Sequence, residues 1–131
     1  MTECLFVSDL HGARDRYDKL FRIILAEKPA AVFMGGDLLP GGGRAFEEAG
    51  FVSSYLEREL ARLRAAMAHA YPRIFVILGN DDPRSEEPGM ERAAASGVWE
   101  YAHNGSFTLD RWRLYGYSYI PPTPFLSLIH I

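Results

Sequence analysis

Three short apolar runs mark the first eighty residues, and each stops at glycine or a carboxylate. Leu5-Phe6-Val7 ends at Ser8-Asp9, Ala31-Val32-Phe33-Met34 ends at Gly35-Gly36-Asp37, and Ile74-Phe75-Val76-Ile77-Leu78 ends at Gly79-Asn80-Asp81-Asp82. Runs of this length, rich in β-branched and aromatic residues and bounded by turn formers, predict strands. Between the first two, Tyr17, Leu20, Phe21, Ile24 and Leu25 recur at helical spacing. They form one apolar stripe, which predicts an amphipathic helix over Ala13 to Lys28 that Pro29 closes. Val52, Leu56, Leu60, Leu63 and Met67 form a second such stripe, with Glu57, Arg58, Glu59, Arg62 and Arg64 supplying a solvated charged face. Continuous apolar strands alternating with amphipathic helices predict βαβ units and a parallel sheet covered on both faces.

The pattern changes after Asp82. A polar loop with Pro83 and Pro88 leads to a short helical stretch around Met90 to Ala95. Short strand-like segments follow near Val98 to Tyr101, Ser106 to Leu109 and Trp112 to Tyr119, the last two joined at Asp110-Arg111 as an antiparallel hairpin. Tyr115, Tyr117 and Tyr119 alternate at strand spacing and predict one lined sheet face. Gly105 and Gly116 suit turns or close packing. Pro121, Pro122 and Pro124 then block further regular structure.

Composition narrows the class without naming a function. With 131 residues, 48% hydrophobic and 24% charged, the chain reads as a single globular unit. A net charge of -3 without a basic stripe argues against non-specific nucleic-acid binding. The single cysteine, Cys4, excludes an internal disulfide framework, and the start lacks the cationic segment of a signal peptide. No apolar run reaches the length of a membrane span, so the expected location is the cytoplasm.

In an open parallel sheet the ligand site lies beyond the carboxyl ends of the strands. The first strand is followed by Asp9 and His11, the second by Asp37, and the third by Asn80, Asp81 and Asp82. Singly, each of these could be a helix cap or an Asx-turn. Together they offer carboxylate, amide and imidazole donors suited to a divalent cation, and the lack of cysteine there argues against a structural zinc site. Gly41-Gly42-Gly43 does not follow the first strand and so fails the dinucleotide fingerprint.

Ser8-Asp9-Leu10-His11-Gly12, Gly35-Gly36-Asp37 and Gly79-Asn80-Asp81-Asp82, in this order and one βαβ unit apart, resemble the first three motifs of the calcineurin-like metallophosphoesterases. The resemblance covers roughly Leu5 to Ile120. It implies a four-layer αββα sandwich in which this chain supplies the parallel βαβ layers. It also implies two divalent metal ions such as Mn, Fe or Zn, with Asp9 and His11 on one, Asp37 bridging both, and Asn80 on the second and touching phosphate. The implied reaction is hydrolysis of a phosphomonoester or phosphodiester by a hydroxide held between the metals. A bridging carboxylate suits Asp37, since its two oxygens can reach two cations ~3.5 to 4 Å apart.

Two departures from the family pattern stand out. Where the family has a histidine after Gly-Asn that protonates or stabilises the leaving oxygen, this chain has Asp81. A carboxylate near two cations has its pKa pushed down and is a poor general acid at neutral pH, so an activated leaving group or a proton from water is expected. The family's later histidine ligands, ending in Gly-His-x-His, also have no counterpart. His103 lies in a hairpin-like region, His130 is next to the last residue, and His69 reads as an ordinary helix-end histidine.

The expectation is therefore that residues 1–125 form the N-terminal part of a metallophosphoesterase domain, with the apolar residues 126–131 a non-native tail. Arg14, Arg44 and Arg84 each follow a motif and could clamp phosphate, although a solvated arginine is the commoner role; Arg84 is the one singled out for substrate binding. The competing readings are a metal-free scaffold of the same fold and a short, complete binding module.

Overall fold

The computed structural model describes residues 2–41 and 50–118. Its element order is β1 (Cys4–Val7), α1 (Arg14–Glu27), β2 (Ala31–Met34), α2 (Glu57–Met67), β3 (Arg73–Val76), α3 (Glu87–Ser96), β4 (Glu100–Tyr101), β5 (Ser106–Leu109) and β6 (Trp112–Tyr115). α2 is entered through π-helical turns over Val52–Leu56 and left through a single 3-10 turn over Ala68–Ala70. The predicted second long helix thus runs through π and α windings and breaks at Ala68 (φ 52°) before the 3-10 turn, which an apolar stripe alone does not reveal. α1 ends where Lys28 turns left-handed (φ 48°) and its N–H bonds the Ile24 carbonyl, next to Pro29.

Strands β1 to β4 form a parallel sheet in sequence order, β1-β2-β3-β4, with Phe6 opposite Phe33 and Phe33 opposite Phe75. β5 and β6 form a separate antiparallel ladder, Leu109 opposite Trp112, turned at Asp110-Arg111 as the sequence predicts. Crossovers between parallel strands are right-handed, so a sheet that grows in one direction receives all its helices on one face. The core confirms this. Val32, Met34, Ile74 and Val76 pack with Tyr17, Leu20 and Ile24 of α1, Leu56, Leu60 and Leu63 around α2, and Met90 and Ala93 of α3.

The alternate strand residues point the other way, as a period of two requires. Ala31, Phe33 and Phe75 pack against Ala102, just after β4, and against Phe107, Leu109 and Leu114 of the β5–β6 ladder. Phe33 stacks on Phe75 with centroids 5.5 Å apart, and Phe107 meets Phe75 edge-on at 5.4 Å. The expected covering of both faces therefore comes from two different layers, helices on one side and the hairpin over part of the other. Gly116 has close packing as its role, because a Cβ there would strike Ala102.

No helix among the described residues is long and apolar enough to cross a membrane. The expectations for Gly42, Gly43, Arg44, Tyr119, Ile120, the prolines from Pro121 onward, residues 126–131 and His130 lie outside the described residues.

Candidate metal centre

Parallel pairing does not stop where the strands do. Beyond β1 and β2, the N–H groups of Asp9, His11 and Gly12 donate to the carbonyls of Gly36, Asp37 and Leu38 at 3.1, 2.9 and 2.9 Å. The segment after β1 is thereby zipped to the segment after β2, and side chains remote in sequence are delivered to one place. Asp9, His11 and Asp37 each offer a ligand atom, and these atoms lie within 4.8 Å of one another. His11 Nε2 is 3.7 Å from Asp9 Oδ1.

The backbone carries a cost to achieve this. Asp9, His11 and Asp37 all have left-handed φ, at 59°, 48° and 54°. Few non-glycine residues sit there, and three predicted ligands sharing the conformation is the kind of local strain that marks functional sites. Gly12 and Gly36 share the region (φ 70° and 104°), where glycine is at ease. Gly36 also needs its missing side chain, since a Cβ there would lie 2.7 Å from the backbone of Gly79. The ends of β2 and β3 therefore touch through two glycines.

The third motif meets the second through its backbone and one buried acid. The Asp81 N–H donates to Asp37 Oδ1 at 2.9 Å. Asp82, only 6% exposed, accepts from the N–H groups of Leu38 (3.0 Å), Leu39 (2.9 Å) and Gly79 (2.8 Å). Burial pushes its carboxyl above the usual carboxylate range, the three amide donors oppose that, and nearby Asp37 adds to it. The sequence suggests an Asx-turn as one role for this residue. The turn is instead a backbone one, closed by the Asp82 N–H on the Gly79 carbonyl, and the side chain's reach to Leu38 and Leu39 across more than forty residues carries no local signal.

The other predicted residues fall as follows. Asn80 and the Asp81 side chain are exposed in the turn between Gly79 and Asp82. Arg84 Nη1 lies 3.6 Å from Glu87 Oε2, and the same carboxylate oxygen accepts the Tyr101 hydroxyl at 2.8 Å. Arg14 lies over the rings of Tyr55 and Phe51, 4.5 and 5.8 Å from their centroids. His103 follows β4, and its Nδ1 accepts the Ser118 N–H at 2.9 Å. His69 is exposed in the turn that ends α2.

Two carboxylates and an imidazole within reach of one point, with further oxygen donors on the adjoining strand end, suit a hard-to-borderline divalent ion. Residues 3–126 match the calcineurin-like phosphoesterase family. Among solved structures, TT1561 of Thermus thermophilus is similar at 14% identity with a TM-score of 0.58, over 90% of this chain and 49% of that one. A second solved structure is similar at 16% identity with a TM-score of 0.54, over 88% of this chain and 52% of that one. The chain thus spans about half the length of these structures, and likeness at such identity speaks to the fold alone. A search of curated proteins gave no significant match. With the three motifs at adjoining strand ends and nearly the whole chain matched, this protein belongs to the calcineurin-like phosphoesterase family.

Proposed function

We propose that this chain carries the first metal ligands of a metal-dependent phosphoesterase that hydrolyses a phosphomonoester or phosphodiester. The observation that carries the reading is the approach of Asp9, His11 and Asp37 donor atoms to within 4.8 Å at the carboxyl edge of the sheet. Asp9 and His11 would hold one divalent ion, Asp37 would be shared with a second, and Asn80 would join that second ion. Bound there, the ions would lower the pKa of a water nucleophile and neutralise charge that develops on the phosphoryl oxygens.

The chain's own groups do the rest. Asp37 keeps one oxygen on the Asp81 N–H, which orients the carboxylate toward its neighbours on the β1 segment. Asn80 carries an amide that can donate to a phosphate oxygen, and Arg84 carries a guanidinium that would assist once it exchanges Glu87 for substrate. Asp81 occupies the position of the family's histidine. As a carboxylate it leaves the departing oxygen to take its proton from water, so esters with good leaving groups should be the better substrates. Replacing Asp37 by Ala in the complete protein should abolish metal-dependent turnover of an aryl phosphate ester; retained turnover would sink the reading.

One observation favours a second reading, namely Asp81 where the family has histidine. A catalytically inactive scaffold of the same fold would carry such a change. It would bind no Mn²⁺ at millimolar concentration and would be indifferent to chelators, which separates it from the enzyme.

A further inference from the structure

We infer that Asp82 is the positioning residue of this centre, the group that sets where Asp37 stands relative to Asp9 and His11. The inference rests on the metal-binding reading above and extends it to a residue that would not touch metal or substrate. Three facts carry it. Asp82 is the buried carboxylate among the described residues, and its two oxygens take the N–H groups of Leu38 and Leu39 on one side and of Gly79 on the other. Leu38 and Leu39 directly follow Asp37, which stands at a left-handed φ of 54°. The Leu38 carbonyl accepts both the Gly12 N–H and the Tyr17 hydroxyl (2.7 Å), so the segment held by Asp82 is also the one against which the Asp9-to-Gly12 segment is zipped.

One carboxylate thus ties the ends of β2 and β3, and the Leu38 carbonyl carries the hold on to the segment after β1. Backbone amides buried without a partner are costly, so the three donors and the carboxylate hold one another in a single arrangement. A bridging ligand tolerates little displacement, and outer partners of metal ligands change metal affinity by ~10 to 100-fold when altered. Asparagine removes the carboxylate and glutamate keeps it at a longer reach, so geometry and charge can be separated by experiment.

The test measures Mn²⁺ affinity by calorimetric titration of the full chain, as wild type, Asp82→Asn, Asp82→Glu and Asp37→Ala, alongside unfolding without metal. Asp82→Asn keeps the shape but turns a donor toward one of the three amides. Asp82→Glu keeps the charge but moves the carboxylate outward by one methylene. Both variants should weaken Mn²⁺ binding by roughly tenfold or more while still unfolding cooperatively. If Asp82→Asn fails to fold, Asp82→Glu decides. Wild-type affinity in a folded Asp82→Glu would overturn the positioning role and leave only charge. Wild-type affinity in both folded variants, with reduced unfolding midpoints, would reduce Asp82 to a structural residue. Failure of the wild-type chain to bind Mn²⁺ would refute the proposed function and the positioning role together, whereas loss in Asp37→Ala alone refutes only the latter.

Discussion

Replacing Gly36 by Ala should damage the fold at the point where the segments after β2 and β3 meet. Gly36 has φ 104°, a region that L-residues enter at a cost of about 1–3 kcal/mol. The added Cβ would also lie 2.7 Å from both the N and Cα of Gly79. Backbone cannot swing aside as a flexible side chain can, so overpacking adds about 1–3 kcal/mol. The two effects together give a loss of about 2–6 kcal/mol, a large fraction of the ~5–15 kcal/mol that holds a domain folded. For a chain of this length each kcal/mol lowers the unfolding midpoint by ~3.6 °C, so a drop of roughly 7–22 °C is expected. Gly41 is the control, because among the described residues nothing lies within 4 Å of a Cβ placed there. Its alanine variant should stay within about 0.5 kcal/mol of wild type. Calorimetry or thermal circular dichroism reads both. A Gly36→Ala midpoint equal to that of Gly41→Ala would refute the claim that the ends of β2 and β3 are held in backbone contact.

Other expectations follow from the same contacts. Arg73 bonds both oxygens of Glu100 at 2.9 and 2.8 Å across β3 and β4 and lies over Phe75; Arg73→Ala should cost about 1 kcal/mol in urea unfolding, the scale of an exposed bidentate pair. Tyr55 is pushed up to about 12, mainly by burial and then by Asp18, and burial raises Tyr17, Tyr71 and Tyr101 as well. Above pH 10 the unfolded chain releases tyrosine protons that the folded chain keeps, so stability should fall as pH rises from about 10 to 12. Tyr55→Phe should flatten part of that slope in alkaline denaturation curves, and an unchanged slope would count against the burial of its hydroxyl. Asp81→His should raise turnover of alkyl phosphate esters more than of aryl esters, because only the former need help for the leaving oxygen; equal changes would show that Asp81 does not face the leaving group.

Much of this arrangement can be read from the chain. The runs at Leu5, Ala31 and Ile74 became β1, β2 and β3 because buried parallel strands are apolar on both faces, a signal carried locally. The site follows from the same logic, since residues after parallel strands must share an edge, and Asp9, His11 and Asp37 do so. What escaped was set by contacts remote in sequence. The third run extends to Leu78, yet regular pairing ends at Val76, where the segment turns toward Gly36. The single-sided placement of helices depended on strand order, which no stripe encodes. Asp82 reaches Leu38 and Leu39 through a pairing that only the folded chain creates. Arg84 and Glu87, three apart at the start of a helix, had a spacing from which their ion pair could have been read. Phe6, 72% exposed, shows that the face of the sheet away from the helices is apolar beyond what the described hairpin covers.

The most direct measurement is anomalous diffraction from crystals of the protein grown with Mn²⁺. An anomalous peak within coordinating distance of Asp9, His11 and Asp37, lost in Asp37→Ala crystals, is the expected result. Ordered density for these three side chains with no peak among them, at Mn²⁺ concentrations in the millimolar range, would contradict the assignment of this strand edge as a metal centre.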